Sequence, residues 1–195
     1  MTSMPRDTAG RILRSATEII QTGGPAALTF DAIAARVGIT KQAVLYWYPN
    51  KSALLSAIAL PGLRAEAEAA MTAANAASGP ADARQRIVLA LIAFHLADLP
   101  RFRLMYLSQQ GAGAARLGRD VLERIHPVTD TMYSAIARAL GGTDAARAQA
   151  VALHMAALGH LLLVALAEAV QDPLKQDPEA LARTLAEMLA QPAGE

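Results

Sequence analysis

Within one short stretch the chain sets a lysine, a glutamine, an alanine and two large aromatics, Lys41, Gln42, Ala43, Tyr46 and Trp47. Presented on one helical face, these groups suit the edges of base pairs. Lysine donates to guanine O6 and N7 or to phosphate, glutamine pairs with adenine, and the alanine methyl packs on the thymine methyl.

The elements that must present them are written on either side. Phe30, Ile33, Ala34 and Val37 recur at i, i+3, i+4 and i+7, and Thr29 precedes them as a helix N-cap. Gly38 ends this helix in a left-handed turn, and Thr40 caps the next short helix. The brief turn makes the two helices cross steeply, which predicts that Lys41, Gln42, Ala43, Tyr46 and Trp47 face outward. Val44, Leu45 and Tyr48 then turn toward the first helix of the pair. An earlier helix from about Thr8 to Thr22, with Ile12, Leu13, Ala16, Ile19 and Ile20 as its stripe, is ended by Gly23, Gly24 and Pro25. After Pro49, Asn50 and Lys51 a long fourth helix begins. Its Leu54, Leu55 and Ile58 pack on the first, and Pro61 with Gly62 predicts a kink or break near Leu60.

This segment resembles the tetracycline-repressor (TetR) family of transcriptional regulators. The residues that carry the resemblance are Ile12, Ala16 and Ile19, Gly23–Gly24, Leu28–Thr29, Ile33–Ala34, Gly38–Ile39–Thr40, the run Tyr46 to Lys51, and Leu54–Leu55. Where the family usually has a tyrosine on a phosphate this chain has Leu45, with Tyr46 one place later. Trp47 holds a position that is often His or Tyr. The resemblance implies an all-α protein, with a three-helix helix-turn-helix DNA-binding domain over residues 1–55 and a helical bundle over 56–195 that binds an inducer and dimerises. It also places Lys51 on a DNA phosphate. The DNA-contacting residues expected are Thr29, Thr40, Lys41, Gln42, Ala43, Tyr46, Trp47 and Lys51, with Thr29, Thr40 and Lys51 on phosphates.

Composition agrees with this division. Residues 1–62 hold six Lys and Arg against three Asp and Glu, and residues 63–195 hold twelve against fourteen. The basic excess therefore sits on the segment that would meet DNA, although it is modest. There is no cysteine, so thiolate and disulfide chemistry are excluded. The N-terminal stretch has no apolar core of the kind that marks a signal peptide, and the apolar run Val151–Ala167 carries His154, Gly159 and His160. We read it as an interface helix rather than a membrane span and expect a cytoplasmic protein.

Beyond residue 62 the pattern is helical throughout. Helices are predicted over Ala81–Asp98, Arg101–Gln109, Ala115–Leu140 with a disturbance at Pro127, Asp144–Val170 capped by Thr143, and Glu179–Ala190 capped by Asp177. Glu123 and His126 have the Glu-x-x-His spacing of helical di-iron proteins, but a dinuclear centre needs a second such pair and there is none. Neither a nucleophile with its base nor a phosphate-cradling glycine loop is present, so the expectation is a non-enzyme without cofactor or metal.

Polar-tipped residues inside an apolar bundle mark a small-molecule site, and Phe94, His95, Phe102, Met105, Tyr106, Met132, Tyr133 and His154 are the candidates. Their alternative role is ordinary core. The scarcity of charge in these segments favours a largely hydrophobic ligand, unless Arg101 or Arg103 turns inward to take a carboxylate. For a dimer interface the sequence offers Ala152, Ala156, Gly159, Leu163 and Ala167, with Leu181, Leu185, Met188 and Leu189 on the last helix. The partners expected are double-stranded operator DNA, an inducer and a second copy of the chain. A constitutive DNA-binding protein with a filled core and a helical metalloenzyme are the alternatives.

Overall fold

A computed structural model describes residues 6–107, 119–171 and 176–191, and among these every regular element is helical. In order they are α1 (Arg6–Ala27), α2 (Phe30–Val37), α3 (Lys41–Trp47), α4 (Lys51–Asn75), α5 (Pro80–Leu96), α6 (Leu99–Phe102) with a π-helical turn at Arg103–Leu107, α7 (Arg119–Ala139), α8 (Ala146–Val170) and α9 (Pro178–Ala190). Over the described residues they form two compact units. The first comprises 6–62 with 104–107 and 119–124, and the second 63–103, 125–171 and 176–191.

The first unit is built on the stripe of α1. Ile12, Ala16, Ile19 and Ile20 are buried against Leu28, Ile33, Ala34, Val37, Val44 and Leu54, with Leu55 and Ile58 packed at the margin. The first helix of the α1 run ends where its glycines predict, at Gly24, which leaves helical geometry at φ 74° and ψ 174°, and a short helical turn follows to Ala27. α4, by contrast, runs without a break through Pro61. Proline there removes a single backbone donor on an exposed position, and a helix of this length retains the bonds on either side.

The second unit is centred on α5, which packs on both α8 and α9. Ile87, Val88, Leu91 and Ile92 of α5 are buried, as are Ala146, Ala150, Ala157, Leu161 and Ala165 of α8 and Ala182 and Ala186 of α9. The alanines let the helix axes approach closely. Asp98 caps α6, accepting from the Arg101 amide at 3.0 Å, and Asp177 caps α9 through the Glu179 amide at 3.1 Å. α8 is capped otherwise than expected. Ala145 holds the N-cap position without a side-chain bond, and Thr143 contributes its carbonyl to the Ala146 amide. α8 is long and apolar enough to cross a membrane by length and composition, yet one of its faces is buried within the unit. Pro127 lies inside α7, as predicted within a helix. Residues 108–118, which include Gln109 and the predicted start of α7 at Ala115, lie outside the described residues.

Candidate nucleic-acid interface and a buried polar cluster

The α2–α3 pair is fixed at both ends by side chains. Thr29 Oγ1 accepts from the Ala32 amide and Thr40 Oγ1 from the Ala43 amide, each at 3.1 Å. Gly38 closes α2 at φ 75° and ψ 39°, its amide donating to the Ala34 carbonyl. Only glycine takes this conformation without strain. Arg11 reaches from α1 to donate to the Val37 carbonyl at 2.6 Å, satisfying one of the carbonyls that the end of α2 leaves open. Arg36 and Glu18 tie α2 to α1 at 2.7 Å. α2 is therefore tied to α1, and α3 packs on α2 through the buried Val44.

On the outer side of α3 Lys41 and Gln42 are exposed, Tyr46 is 82% exposed and Ala43 is half-buried. Val44 is fully buried. Two residues depart from the helical-face expectation. Trp47 is half-buried and packs on the core of the unit, its ring edge-on to Tyr46 at 5.7 Å. Leu45 is half-buried but is not part of that core, where Tyr48 takes the inward place. A seven-residue helix has just under two turns, so a small rotation exchanges which flanking residue is covered.

Thr29, Asp31, Lys41 and Lys51 line one concavity of about 220 Å³, together with Leu28, Phe30, Ile33 and Leu54. Three helices thus bring two cations and a hydroxyl together beside the exposed face of α3. α4 opens at Lys51 behind an Asn50 cap whose Oδ1 accepts from the Ala53 amide at 2.7 Å. Asn50 went unassigned in the sequence, although an Asn directly ahead of a helix is itself a capping signal. Grouped this way, the side chains suit a duplex backbone in the concavity and base edges along Gln42 and Tyr46.

In the second unit four helices each send one polar side chain to a single point. Glu66 of α4 is fully buried, and its Oε1 lies 2.8 Å from His154 Nε2 and 3.3 Å from His95 Nε2. Tyr133 of α7 shares a 2.8 Å hydrogen bond with His154 Nδ1. Burial pushes the Glu66 carboxyl upward, but the hydrogen bonds and charge of His154 and His95 prevail and hold it at about 2. The Tyr133 phenol is raised, by burial first and by the Glu66 charge second. The ring of His95 stands edgewise between Phe94 and Phe102, at 4.9 and 5.2 Å.

Of the candidate ligand residues, Phe94, His95, Phe102, Tyr133 and His154 thus belong to one connected cluster, and Met132 is buried on α7 beside Tyr133. Met105 and Tyr106 fall on the π turn, half-buried, in the stretch that belongs to the first unit. Glu66 was missed, and it places one carboxylate inside a body otherwise poor in buried charge. The sequence carried only part of the signal: Glu66 shares one helical face with the small residues Ala67, Ala70 and Ala74, which marks close packing, and in the structure all four are buried. Neither arginine is turned inward to await a carboxylate. Arg101 lies 4.1 Å over the Phe94 ring and donates to the Phe94 carbonyl, and Arg103 binds Glu168 and the Ala165 carbonyl on α8. A separate groove of about 460 Å³ runs between α5 and α9, lined in part by Leu89, Ile92, Leu96 and Arg183. Glu123 and His126 are both exposed on α7, and no metal-binding group of three or more His, Asp or Glu occurs among the described residues.

α8 exposes a continuous apolar row. Met155, Leu163, Leu166 and Val170 are at least half exposed, Ala152 and Gly159 are exposed, and Ala156 and Ala167 are half-buried. On α9 Leu181 is 42% and Met188 67% exposed, with Leu185 half-buried between them.

A capped three-helix unit that presents polar and aromatic side chains from its last short helix defines the helix-turn-helix class of DNA-binding proteins. Residues 12–58 match the family described as bacterial regulatory proteins, tetR family. This N-terminal segment therefore carries the DNA-binding domain described for that family, and the chain as a whole has the fold of tetR-family regulators. No curated protein sequence matches it. Solved structures resemble it along nearly its whole length. A tetR-family regulatory protein from Rhodococcus RHA1 superposes with TM-score 0.69 at 21% identity, over 95% of this chain and 96% of that one. NalD, secondary repressor of the MexAB-OprM multidrug efflux pump in Pseudomonas aeruginosa, gives 0.65 at 22%, over 94% and 93%. FadR from Bacillus subtilis, solved with stearoyl-CoA, gives 0.66 at 14%, over 93% and 97%. At these identities the likeness is one of fold.

Proposed function

We propose that the chain is a cytoplasmic, homodimeric repressor that leaves its operator when a small, mostly apolar molecule enters its helical body. The observation that carries the DNA half of this reading is the grouping of Thr29, Lys41 and Lys51 in one concavity beside the exposed Gln42 and Tyr46. Thr29, Thr40 and Lys51 hold phosphates; Lys41, Gln42, Ala43, Tyr46 and Trp47 contact bases or the adjoining backbone. DNA reading belongs to residues 1–55, ligand binding and dimerisation to 56–195.

The dimer half rests on the apolar row of α8 and on Leu181, Leu185 and Met188 of α9, a run of exposed apolar side chains of the kind that marks an interaction surface. The ligand half rests on the cluster of His95, Phe102, Tyr133 and His154, with Met132 beside it. A buried polar network among otherwise apolar helices is costly to keep, and a ligand-linked rearrangement would give it a use. Similarly folded proteins include one solved with an acyl-CoA and one that represses a drug-efflux pump, and both themes suit an apolar effector. Operator selected from a random duplex pool, then titrated with protein against a panel of apolar compounds, tests the whole. Release by one compound class supports the reading; tight binding unmoved by any of them leaves a constitutive DNA-binding protein.

A further inference from the structure

Lys41 Nζ, on the first residue of α3, lies 2.8 Å from Asp31 Oδ2 on α2. Both side chains are more than half exposed, so the pair contributes little to stability, and its importance lies in what else competes for the ammonium. The three acids of residues 1–62 each hold a base: Asp7 holds Arg14 within α1, Glu18 holds Arg36 between α1 and α2, and Asp31 holds Lys41. Of the three, only Asp31 engages the helix that faces DNA. It also stands on the wall of the concavity shared with Thr29 and Lys51.

We propose that Asp31 is an internal rival of the DNA phosphate for Lys41. In the free protein the carboxylate occupies the ammonium, and a duplex backbone must displace it to gain that contact. A carboxylate oxygen and a phosphate oxygen are alike as charged acceptors, so the exchange leaves Lys41 about as well bonded as before. Asp31 is then left uncompensated close to phosphates, well inside the screening length of about 8 Å at physiological salt. The net effect lowers affinity for every duplex equally. Sequence-dependent contacts, such as that of Gln42, consequently decide a larger share of binding. Asp31 is in this sense a specificity-determining residue that touches no base, and the inference rests on α3 being the DNA-reading helix.

The test uses the full-length chain and a mixed-sequence duplex, with affinity measured between about 50 and 200 mM salt. Asp31→Asn is expected to tighten binding about threefold and to steepen the log–log salt slope by up to about 0.9, because the complex then no longer carries the unmatched Asp31 charge that offsets one phosphate contact. In a Lys41→Ala background the same substitution is expected to tighten binding by clearly less, because only the direct repulsion between Asp31 and phosphates is left to relieve. An unchanged slope for Asp31→Asn, or equal tightening with and without Lys41, would overturn the inference. The two failures are distinguishable: if Lys41→Ala binds as tightly as the unmodified chain, the assignment of α3 falls as well, whereas if it binds weakly and Asp31→Asn is silent, only the role of Asp31 falls.

Discussion

Two residues with opposite surroundings carry the account, Gln42 in the open and Glu66 fully buried. An exposed amide beside the exposed Tyr46 can read a base, so Gln42→Ala is expected to relax preference at one base position by about 1–3 kcal/mol while leaving mixed-sequence binding nearly intact. Lys51→Ala should instead weaken binding to all duplexes alike and flatten the salt dependence. Competition titrations with single-base variants of a selected site separate these behaviours. Glu66 is a matter of stability. Its carboxyl has a value of 4.5 in the absence of the fold and about 2 within it, so the fold favours the ionised form. That stabilisation is complete above pH 4.5 and is lost as pH falls toward 2. Glu66→Gln is expected to lower the unfolding free energy at neutral pH by roughly 3 kcal/mol, with the deficit shrinking through that acid window. Denaturant unfolding at stepped pH measures it, and a deficit that does not change with pH would show that Glu66 is not ionised in the fold.

At the scale of elements, the parts most legible in the sequence were those set by local chemistry. Thr29, Gly38 and Thr40 announce the helix-turn-helix because a cap, a left-handed turn and a second cap are each decided within a few residues. Gly38→Ala is therefore expected to destabilise the first unit by about 1–2 kcal/mol through strain at positive φ, read as a lower midpoint of thermal unfolding. What was not legible depended on tertiary context. Pro61 does not break α4, since an exposed position tolerates a missing backbone donor. Trp47 is drawn half onto the core while Leu45 stays outside it, because the rotation of a short helix is set by what it packs on. Glu66 was hidden for the same reason. An alanine-rich face shows that something packs closely, whereas the imidazoles that make burial of a carboxylate tolerable come from residues 95 and 154, far away in the chain.

For the whole molecule, the resemblance to regulators of 14–22% identity shows that the fold persists where nearly all side chains differ, so function must be sought in the sites. The apolar row on α8 is the feature that most needs a partner. Nothing within 4 Å would meet a Cβ built at Gly159, so the glycine is not required by packing within the chain, and Gly159→Arg should fold normally yet fail to dimerise. Sedimentation at micromolar concentration checks this, and a variant that remains dimeric would move the interface elsewhere. The central claim, that two copies of α3 read DNA together, is tested most directly by selecting bound sites from a random duplex pool. The account expects enriched sites with two-fold symmetry, their half-sites centred about 34–36 Å apart or a multiple of that spacing, and a changed base preference when Gln42 is replaced by alanine. A pool left unenriched, or one whose enriched sites are identical for the chain and its Gln42→Ala variant, would contradict it.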